Sequence, residues 1–351
     1  MNPRKKKALL IISCILFIIL YLILAAEPVD SSFKLNSEWS ISLQDAPVSY
    51  KQGGIPFKTG QLLGYFSSDG TLCSLTSFPY MASVSKDAWT VYGADAEETP
   101  FFAADGTELG EIKEAGFPWL TDNGNFLFLP GGNGFDKLDD NGNSLWRYED
   151  TAPITEFSNS SNGCILGFAD GKLVAFRNDG TIDFSIYPAG SNYQVILGVD
   201  ISENNDLTAC VCGIDRQRFI LFRNTDGQNK IIYHEYLENN LREQTYVKFS
   251  ENSEKVFINE YNGLAIIDCK TLTTKHIPVE GKIIAIEEQP ENNIFFVLTK
   301  NKNSFSLYMF ENPSSKIGNF SFKASNAFII TEGSSLFIGT DSTISKFEVT
   351  K

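Results

Sequence analysis

The chain has 351 residues, of which 42% are hydrophobic and 21% are charged. These values are typical of a packed globular protein and exclude a disordered or collagen-like chain. The formal net charge is −14, and because four of the 29 Lys and Arg residues but none of the 43 Asp and Glu residues precede position 27, the rest of the chain carries −18. A body this acidic repels phosphate backbones, so we expect no nucleic-acid partner.

The first 26 residues predict a membrane anchor. Four basic residues at 4–7 precede an uncharged, mostly apolar run at 8–26. A helix of this length rises about 28 Å, close to the roughly 30 Å of a hydrocarbon core, and the basic residues stay in the cytoplasm. We therefore predict a cytoplasmic tail at 1–7, a single-pass signal anchor at 8–26 in the inner or cell membrane, and a periplasmic or extracellular body.

Two other fates of this segment stay open at this stage. One is cleavage after Ala26, although the apolar run is longer than that of a usual signal peptide and Leu24 is large for its position before the cleavage site. The other is lipidation at Cys14, which would leave a further apolar run, 15–26, on the mature protein.

The remaining cysteines suggest no disulfide framework. Their number is odd, no CxxC pair occurs, and the chain has only two histidines to complete a metal site. We therefore expect these residues to be small, buried hydrophobic side chains: Cys73, Cys164, Cys210, Cys212 and Cys269.

From about Asn36 onward the sequence shows strands and no helical periodicity. Short β-branched and aromatic runs alternate with Asp-Gly or Asn-Gly turns, which supply the positive φ angles that tight hairpins require. The spacings between successive turns are 36, 35, 39 and 47 residues, measured between these positions: Asp69, Asp105, Asp140, Asp179 and Asp226. A period near 40 residues with about four strands per unit predicts a β-propeller.

Counting the outer strands gives the number of blades. Seven outer-strand runs follow the anchor, and the chain ends in a unit that lacks its last strand. The segment 38–43 is a strand without a blade of its own, and pairing it with the C-terminal run closes the ring. We predict a linker at 27–36 and an all-β, eight-bladed propeller at 37–351, with seven blades as the alternative.

One outer strand carries a family motif. The run from Asp140 to Trp146, in which an Asp/Gly turn leads into a Leu-Trp pair, resembles the outer-strand signature of PQQ-like (quinoprotein-type, WD40-like) propeller repeats, and 35–41 resembles a weaker copy. Within that family, the chain is similar to the eight-bladed propeller lipoproteins of the outer-membrane barrel-assembly machinery. This resemblance implies a protein-binding scaffold, although here a predicted transmembrane anchor stands in place of a lipid.

No catalytic motif is present. The sequence has no GxSxG elbow, no phosphate-binding GxxxxGK[ST] loop and no HExxH, and it lacks the set of polar and carboxylate groups that holds a quinone and Ca²⁺ in active quinoproteins. We therefore expect no cofactor, no metal site and no enzymatic activity. The expected function is a membrane-anchored, extracytoplasmic scaffold that binds one or more envelope proteins.

Loops between strands supply the candidate binding residues. Propeller loops crowd one face around the central channel, and aromatic and Arg side chains are enriched in protein interfaces. The predicted protein-binding face consists of these residues: Phe117, Trp119, Tyr193, Arg216 and Arg218. The alternative function is a small-ligand-binding or enzymatic propeller that uses Asp200, Glu260 and Glu287 as channel carboxylates, and a structural envelope protein without a defined partner also remains open.

Overall fold

A computed structural model describes residues 33–350, apart from 94, 189–190, 226–227, 239–240, 262 and 313, together with Ile15 and Phe17. The described part of 33–350 is built from β-strands and one turn of 3-10 helix, Pro290–Asn292. The strands form eight sheets, which we call blades and number in chain order: blade 1, β2 (Ile55–Thr59), β3 (Leu62–Phe66) and β4 (Leu72–Ser77); blade 2, β5 (Met81–Val84), β6 (Ala88–Tyr92), β7 (Thr99–Ala103) and β8 (Glu108–Ile112); blade 3, β9 (Phe117–Thr121), β10 (Gly124–Phe128), β11 (Gly134–Leu138) and β12 (Ser144–Glu149); blade 4, β13 (Ile154–Ser160), β14 (Gly163–Phe168), β15 (Leu173–Arg177) and β16 (Ile182–Ile186); blade 5, β17 (Ile196–Ile201), β18 (Leu207–Cys212), β19 (Arg218–Thr225) and β20 (Gln228–Tyr236); blade 6, β21 (Val247–Phe249), β22 (Lys255–Glu260), β23 (Gly263–Asp268) and β24 (Thr273–Pro278); blade 7, β25 (Lys282–Gln289), β26 (Ile294–Asn301), β27 (Ser304–Glu311) and β28 (Ser315–Lys323); blade 8, β29 (Phe328–Glu332), β30 (Ser335–Gly339), β31 (Thr343–Thr350) and β1 (Lys34–Ser42).

The ring closes between the two ends of the described chain. β1 pairs antiparallel with β31, from Lys34 opposite Thr350 to Ser42 opposite Thr343, and so becomes the outermost strand of blade 8. Closure in this way covers edges that an open sheet would leave free. The prediction of an all-β, eight-bladed propeller is confirmed and the seven-bladed alternative is wrong. β1 begins three residues before the predicted domain start at 37.

The Leu-Trp motif joins neighbouring blades. The Trp146 indole donates a hydrogen bond of 3.0 Å to the carbonyl of Asn178, which belongs to the outer turn of the next blade. Gly180 in that turn has φ of 84°, and a Cβ there would lie 2.6 Å from Trp146. Trp39 repeats the contact at the ring closure, with a 3.2 Å bond to Ser68. Glycine in these turns thus supplies both the positive φ and the space for the neighbouring indole.

Blade 1 has three strands where the other blades have four. The turn between β3 and β4 accepts a hydrogen bond from the Trp39 indole. In the same way, the turn between β15 and β16 of blade 4 accepts one from Trp146 of blade 3. The Phe78 amide donates to the Gln61 carbonyl at 3.0 Å, as the Asp150 amide does to the Asn133 carbonyl at 2.9 Å in blade 3. By both comparisons, β3 and β4 correspond to the third and outermost strands of a four-stranded blade, so β2 corresponds to the second strand. Among the described residues, no strand fills the innermost position of blade 1.

Side chains of β2 bridge this gap. The Lys58 ammonium donates to the Ala82 carbonyl of blade 2 at 2.9 Å, and the Thr59 hydroxyl donates to the Thr340 carbonyl of blade 8 at 3.2 Å. β2 also contains Pro56, and Pro and Lys are the residues that natural proteins place on free sheet edges to discourage pairing with another strand. The edge of blade 1 is therefore blunted by its sequence.

The apolar core lies between adjacent blades. Its clusters join facing strands, for example β18 and β19 of blade 5 with β22 and β23 of blade 6. The five cysteines of the described residues are buried, as predicted. Burial raises the pKa of Cys164 to about 12.

The disc has two faces. The upper face is formed by two kinds of loop. One is the turn between the two middle strands of each blade, and the other is the connection from each outermost strand to the innermost strand of the next blade. The opposite, lower face carries the Asp-Gly turns. β1 begins on the lower face, because Lys34 pairs with the last residue of β31. The predicted anchor at 8–26 lies outside the described residues except for Ile15 and Phe17, and no helix among the described residues has the length and hydropathy to cross a membrane.

Candidate functional site

The upper mouth of the central channel opens into a cavity of about 880 Å³. The first residues of the innermost strands of several blades form its wall, so the closed ring itself fixes their positions. The wall is mainly apolar and aromatic, with a few polar groups among them. The lining residues come from blades 3 to 7 and the connection between blades 5 and 6: Phe117, Trp119, Phe128, Leu129, Gly132, Ile154, Thr155, Glu156, Phe157, Val199, Gln244, Thr245, Tyr246, Val247, Lys282, Ile283 and Ile284.

Glu156 is an acidic residue of the cavity wall, and the hydrogen bonding of its carboxyl group is incomplete. Its Oε1 atom is buried and has no hydrogen-bond partner among the described residues, and the same holds for the hydroxyl of Thr155. Burial raises the pKa of Glu156 to about 8, although the Lys282 ammonium and the Gln244 amide both counter this effect. Burial therefore favours the neutral form of the Glu156 carboxyl. The nearby Lys282 ammonium lies 3.1 Å from the carboxylate of Glu243.

The lower part of the channel contains Asp200, one of the predicted channel carboxylates. Its carboxylate accepts a hydrogen bond from the Ser158 hydroxyl of the preceding blade and one of 2.6 Å from the Phe249 amide of the next blade. Burial raises the pKa of Asp200, and these two hydrogen bonds counter the rise. Asp200 therefore ties the innermost strands of three blades together.

Glu287 extends this lower polar network. Its carboxylate lies 3.8 Å from the Lys248 ammonium and accepts a 3.3 Å hydrogen bond from the Thr331 hydroxyl of blade 8. Burial raises the pKa of Glu287, and Lys248 counters the rise. Burial alone would lower the pKa of Lys248, but Tyr246, Glu287 and Asp200 raise it above its usual value. The lower channel therefore holds two carboxylates with a cation between them.

Glu260, the third predicted channel carboxylate, lies away from the other two. It lines a cleft of about 290 Å³ between blades 5 and 6. Its carboxylate is 3.0 Å from Nδ1 of His276, whose Nε2 is 3.2 Å from Glu235. Burial alone would lower the pKa of His276, but the two glutamates raise it. Among the described residues, no group of three or more His, Cys, Asp or Glu side chains could hold a metal ion.

The predicted protein-binding residues fall into two groups. Phe117 and Trp119 line the channel mouth, and 52% of Trp119 is exposed. Tyr193 is 68% exposed on the upper face of blade 5. Arg216 and Arg218 lie on the same blade, with their guanidinium groups 4.6 and 5.7 Å from the ring centre of Tyr236. All five residues therefore belong to the upper face, but only the first two contact the cavity.

Further exposed aromatic residues extend this face. They end or follow outermost strands, or lie in turns between middle strands, and both positions belong to the upper face. Their positions were not predicted from the sequence, although the same loop argument applies to them: Tyr80, Tyr187, Tyr236 and Tyr261. We call the exposed aromatic residues of the upper face, these four with Trp119 and Tyr193, the aromatic rim.

Comparison with known proteins agrees with this architecture. The whole chain, residues 1–351, matches the family model described as beta-propeller protein. An uncharacterized protein of Treponema pallidum (strain Nichols) is 34% identical over 361 aligned residues, which cover 99% of this chain and 96% of the relative. The crystal structure of BamB from Moraxella catarrhalis aligns with a TM-score of 0.59 over 90% of this chain and 100% of that chain. Its sequence identity is 10%, so this likeness concerns the fold alone. The chain belongs to the β-propeller protein family.

Proposed function

We propose that this protein is a membrane-anchored, extracytoplasmic scaffold that binds an envelope protein through its upper face. The observation that carries the proposal is the aromatic rim. Among the described residues, every exposed Tyr or Trp except Tyr50 lies on the upper face. Exposed tyrosine and tryptophan provide large contact areas at a low cost in side-chain entropy, and they are enriched in protein interfaces.

The cavity inside the rim strengthens this proposal. A central pocket surrounded by exposed aromatic residues is the arrangement in which binding energy concentrates in protein interfaces. Trp119 belongs to both the rim and the cavity wall. The resemblance of the run from Asp140 to Trp146 to PQQ-like repeats, which implies a protein-binding scaffold, also supports this role.

The proposed anchor would orient this face. The run 8–26 is uncharged and follows four basic residues. Ile15 and Phe17, its two described residues, are helical and expose apolar side chains. Since β1 begins on the lower face, a tether from the membrane reaches the disc on that side. The upper face would then point away from the membrane, toward other envelope proteins.

Cross-linking in cells tests the proposal. The full-length protein is cross-linked, recovered from solubilised membranes, and its co-recovered proteins are identified. We expect a reproducible envelope protein whose recovery falls at least tenfold in Trp119→Ala, because hot-spot aromatic residues commonly contribute about 2 kcal/mol or more. The matched control is Leu145→Ala on outermost strand β12, where Leu145 is 58% exposed.

Two results would overturn the proposal. One is recovery of the propeller alone with cross-linkers of several lengths. The other is a partner that is lost equally in Trp119→Ala and Leu145→Ala, because that pattern would place the contact elsewhere or indicate a general defect.

A further inference from the structure

The channel mouth contains an acceptor without a donor. The buried Oε1 of Glu156 and the buried hydroxyl of Thr155 have no hydrogen-bond partner among the described residues. Native proteins pair nearly all such groups, because an unpaired buried polar atom loses its bonds to water and gains nothing in return. A group left unpaired in the wall of a cavity is therefore a candidate contact for a ligand.

The two lysines of the channel, Lys282 and Lys248, interact with other groups. The Lys282 ammonium lies 3.1 Å from the carboxylate of Glu243. Lys248, deeper in the channel, donates a 3.1 Å hydrogen bond to the Ile286 carbonyl and faces Glu287 at 3.8 Å. Glu156 thus lies in a chain segment of charge −18 with no salt bridge of its own among the described residues. The charge that would pair with the ionised Glu156 carboxylate is positive.

The wall of the cavity adds a second requirement. Phe117, Trp119, Phe157 and Tyr246 contribute aromatic surface near Glu156. Aromatic faces attract cations, and a planar guanidinium stacks on them and is less strongly hydrated than an ammonium. A guanidinium also pairs with a carboxylate through two parallel hydrogen bonds. Carboxylate and aromatic wall together favour arginine over lysine.

We propose that the cavity receives a loop of the partner protein that inserts an arginine side chain beside an apolar one, with Glu156 as acceptor of the guanidinium. This inference rests on the proposed function and gives the chemistry of the partner. The apolar residue fills the aromatic part of the cavity, and the arginine supplies a donor for Oε1 of Glu156 and the Thr155 hydroxyl, which have no hydrogen-bond partner among the described residues.

The site predicts a linkage between binding and pH. Because burial raises the pKa of Glu156 to about 8, with Lys282 and Gln244 opposing the rise, an arginine that pairs with the carboxylate must first displace a proton. The other charged groups near the channel are Glu243, beside Lys282, and Asp200, Lys248 and Glu287 deeper down. Affinity should therefore rise up to about tenfold per pH unit below pH 8 and level off above it.

A pair of peptides tests the inference on the full-length protein in detergent. The probes are N-acetyl-Phe-Arg-Phe-amide and the same peptide with citrulline, a neutral isostere, in place of arginine. Calorimetric titrations at pH 6.5 and 8.5 give the affinities. We expect the arginine peptide to bind at least tenfold more tightly than the citrulline peptide at pH 8.5, and this preference to shrink at pH 6.5.

Variants locate the contact. Glu156→Gln should reduce binding of the arginine peptide to the level of the citrulline peptide and remove the pH dependence, whereas Glu156→Asp should keep the preference for arginine at reduced affinity. Equal binding of the two peptides, binding of neither, or an arginine preference that survives in Glu156→Gln would overturn the inference. The peptide comparison requires no variant, so a folding defect in Glu156→Gln leaves that test intact.

The two proposals fail in different ways. A partner that depends on Trp119 in cells, combined with no peptide preference, would leave the scaffold function standing and reject the arginine contact. Preference for the arginine peptide without any protein partner in cells would reject the scaffold function and leave a site for guanidinium compounds.

Discussion

The upper and lower parts of the central channel differ in the hydrogen-bond and charge partners of their carboxyl groups. In the lower part, Asp200 accepts hydrogen bonds from two neighbouring blades, and Glu287 lies beside Lys248. In the upper part, Glu156 keeps an unpaired oxygen in an open cavity. Both parts have the same structural origin, the innermost strands of a ring. The difference suggests that the lower network stabilises the ring and that the upper cavity is kept for a partner, and four substitutions test this division.

Glu156→Gln should have the largest effect on stability, and it should be stabilising. A carboxyl whose folded pKa is raised from 4.5 to about 8 loses stability as pH rises through that window. Glutamine does not titrate, so we expect the two proteins to have similar stability near pH 5 and the variant to gain roughly 4 kcal/mol by pH 8.5. Denaturant unfolding at both pH values measures this gain.

The control for that measurement is Glu108→Gln on the exposed strand β8, where we expect a change below about 0.5 kcal/mol. A variant at position 156 that is less stable than the wild type at pH 8.5 would mean that Glu156 is compensated within the fold, and the comparison between the two parts of the channel would then fail.

Lys248→Met should destabilise the ring by about 2 kcal/mol at pH 8, because it removes the cation near Asp200 and Glu287. The loss should be smaller at pH 5, where these buried carboxyls, whose pKa values are raised, bind protons more readily. Thermal unfolding at the two pH values checks this, with Lys113→Met at a largely exposed position as the control. Equal stability of Lys248→Met and wild type would show that the lower network does not stabilise the fold.

Ser158→Ala should cost about 1 kcal/mol, the usual value of a hydrogen bond to a buried group. It removes the hydroxyl of blade 4 that donates a hydrogen bond to Asp200 of the neighbouring blade 5. Ser306→Ala removes a hydroxyl that bonds to Ser321 on an exposed hairpin, and its stability should be close to that of the wild type. Comparable losses in the two variants would show that the channel position has no special importance.

Trp119→Ala should have the smallest effect on folding, below about 0.5 kcal/mol, because half of this side chain is exposed. The same change should greatly weaken partner binding. Measuring the unfolding free energy of the purified variant separates the two effects. A loss of 2 kcal/mol or more would assign Trp119 to the core of the ring and would weaken its use as an interface probe.

The architecture could be predicted from the sequence because its main signals are local. Asp-Gly or Asn-Gly turns precede the outermost strands of blades 1 to 5, and the outer strands of the later blades can be counted at the same spacing. The closing strand was predicted because 38–43 reads as a strand without a hairpin partner. The motif tryptophan could be recognised, although its contact with the next blade depends on tertiary packing.

The site was harder to predict because side-chain direction depends on register. β-Bulges interrupt the innermost strands between Ile154 and Glu156, between Ile196 and Gly198, and between Ile283 and Ala285. Each bulge shifts the alternation by one residue, so a sequence pattern does not reveal which side chains face the channel. Glu156 was missed for this reason, and Glu260, on a second strand, was grouped with carboxylates that it does not approach.

The lack of an innermost strand in blade 1 among the described residues was also not predicted. The sequence signal of a blade comes mainly from its outer turn, and blade 1 retains that turn at Asp69 and Gly70. The loss concerns the part of the blade with the weakest signal, a short strand without a characteristic turn. Counting outer strands therefore gives the number of blades but not the number of strands in each.

The position of β1 also determines how the ring would bear mechanical load. A tether joined at residue 33 pulls along the axis of β1, which pairs with β31 from Lys34 to Ser42 with one bulge between Ser37 and Trp39. In this geometry the hydrogen bonds of the ladder are loaded together in shear instead of being opened one after another from an end. The strand that closes the propeller would then also fasten it to the membrane, so tension on the anchor would be resisted by the whole length of the closing ladder.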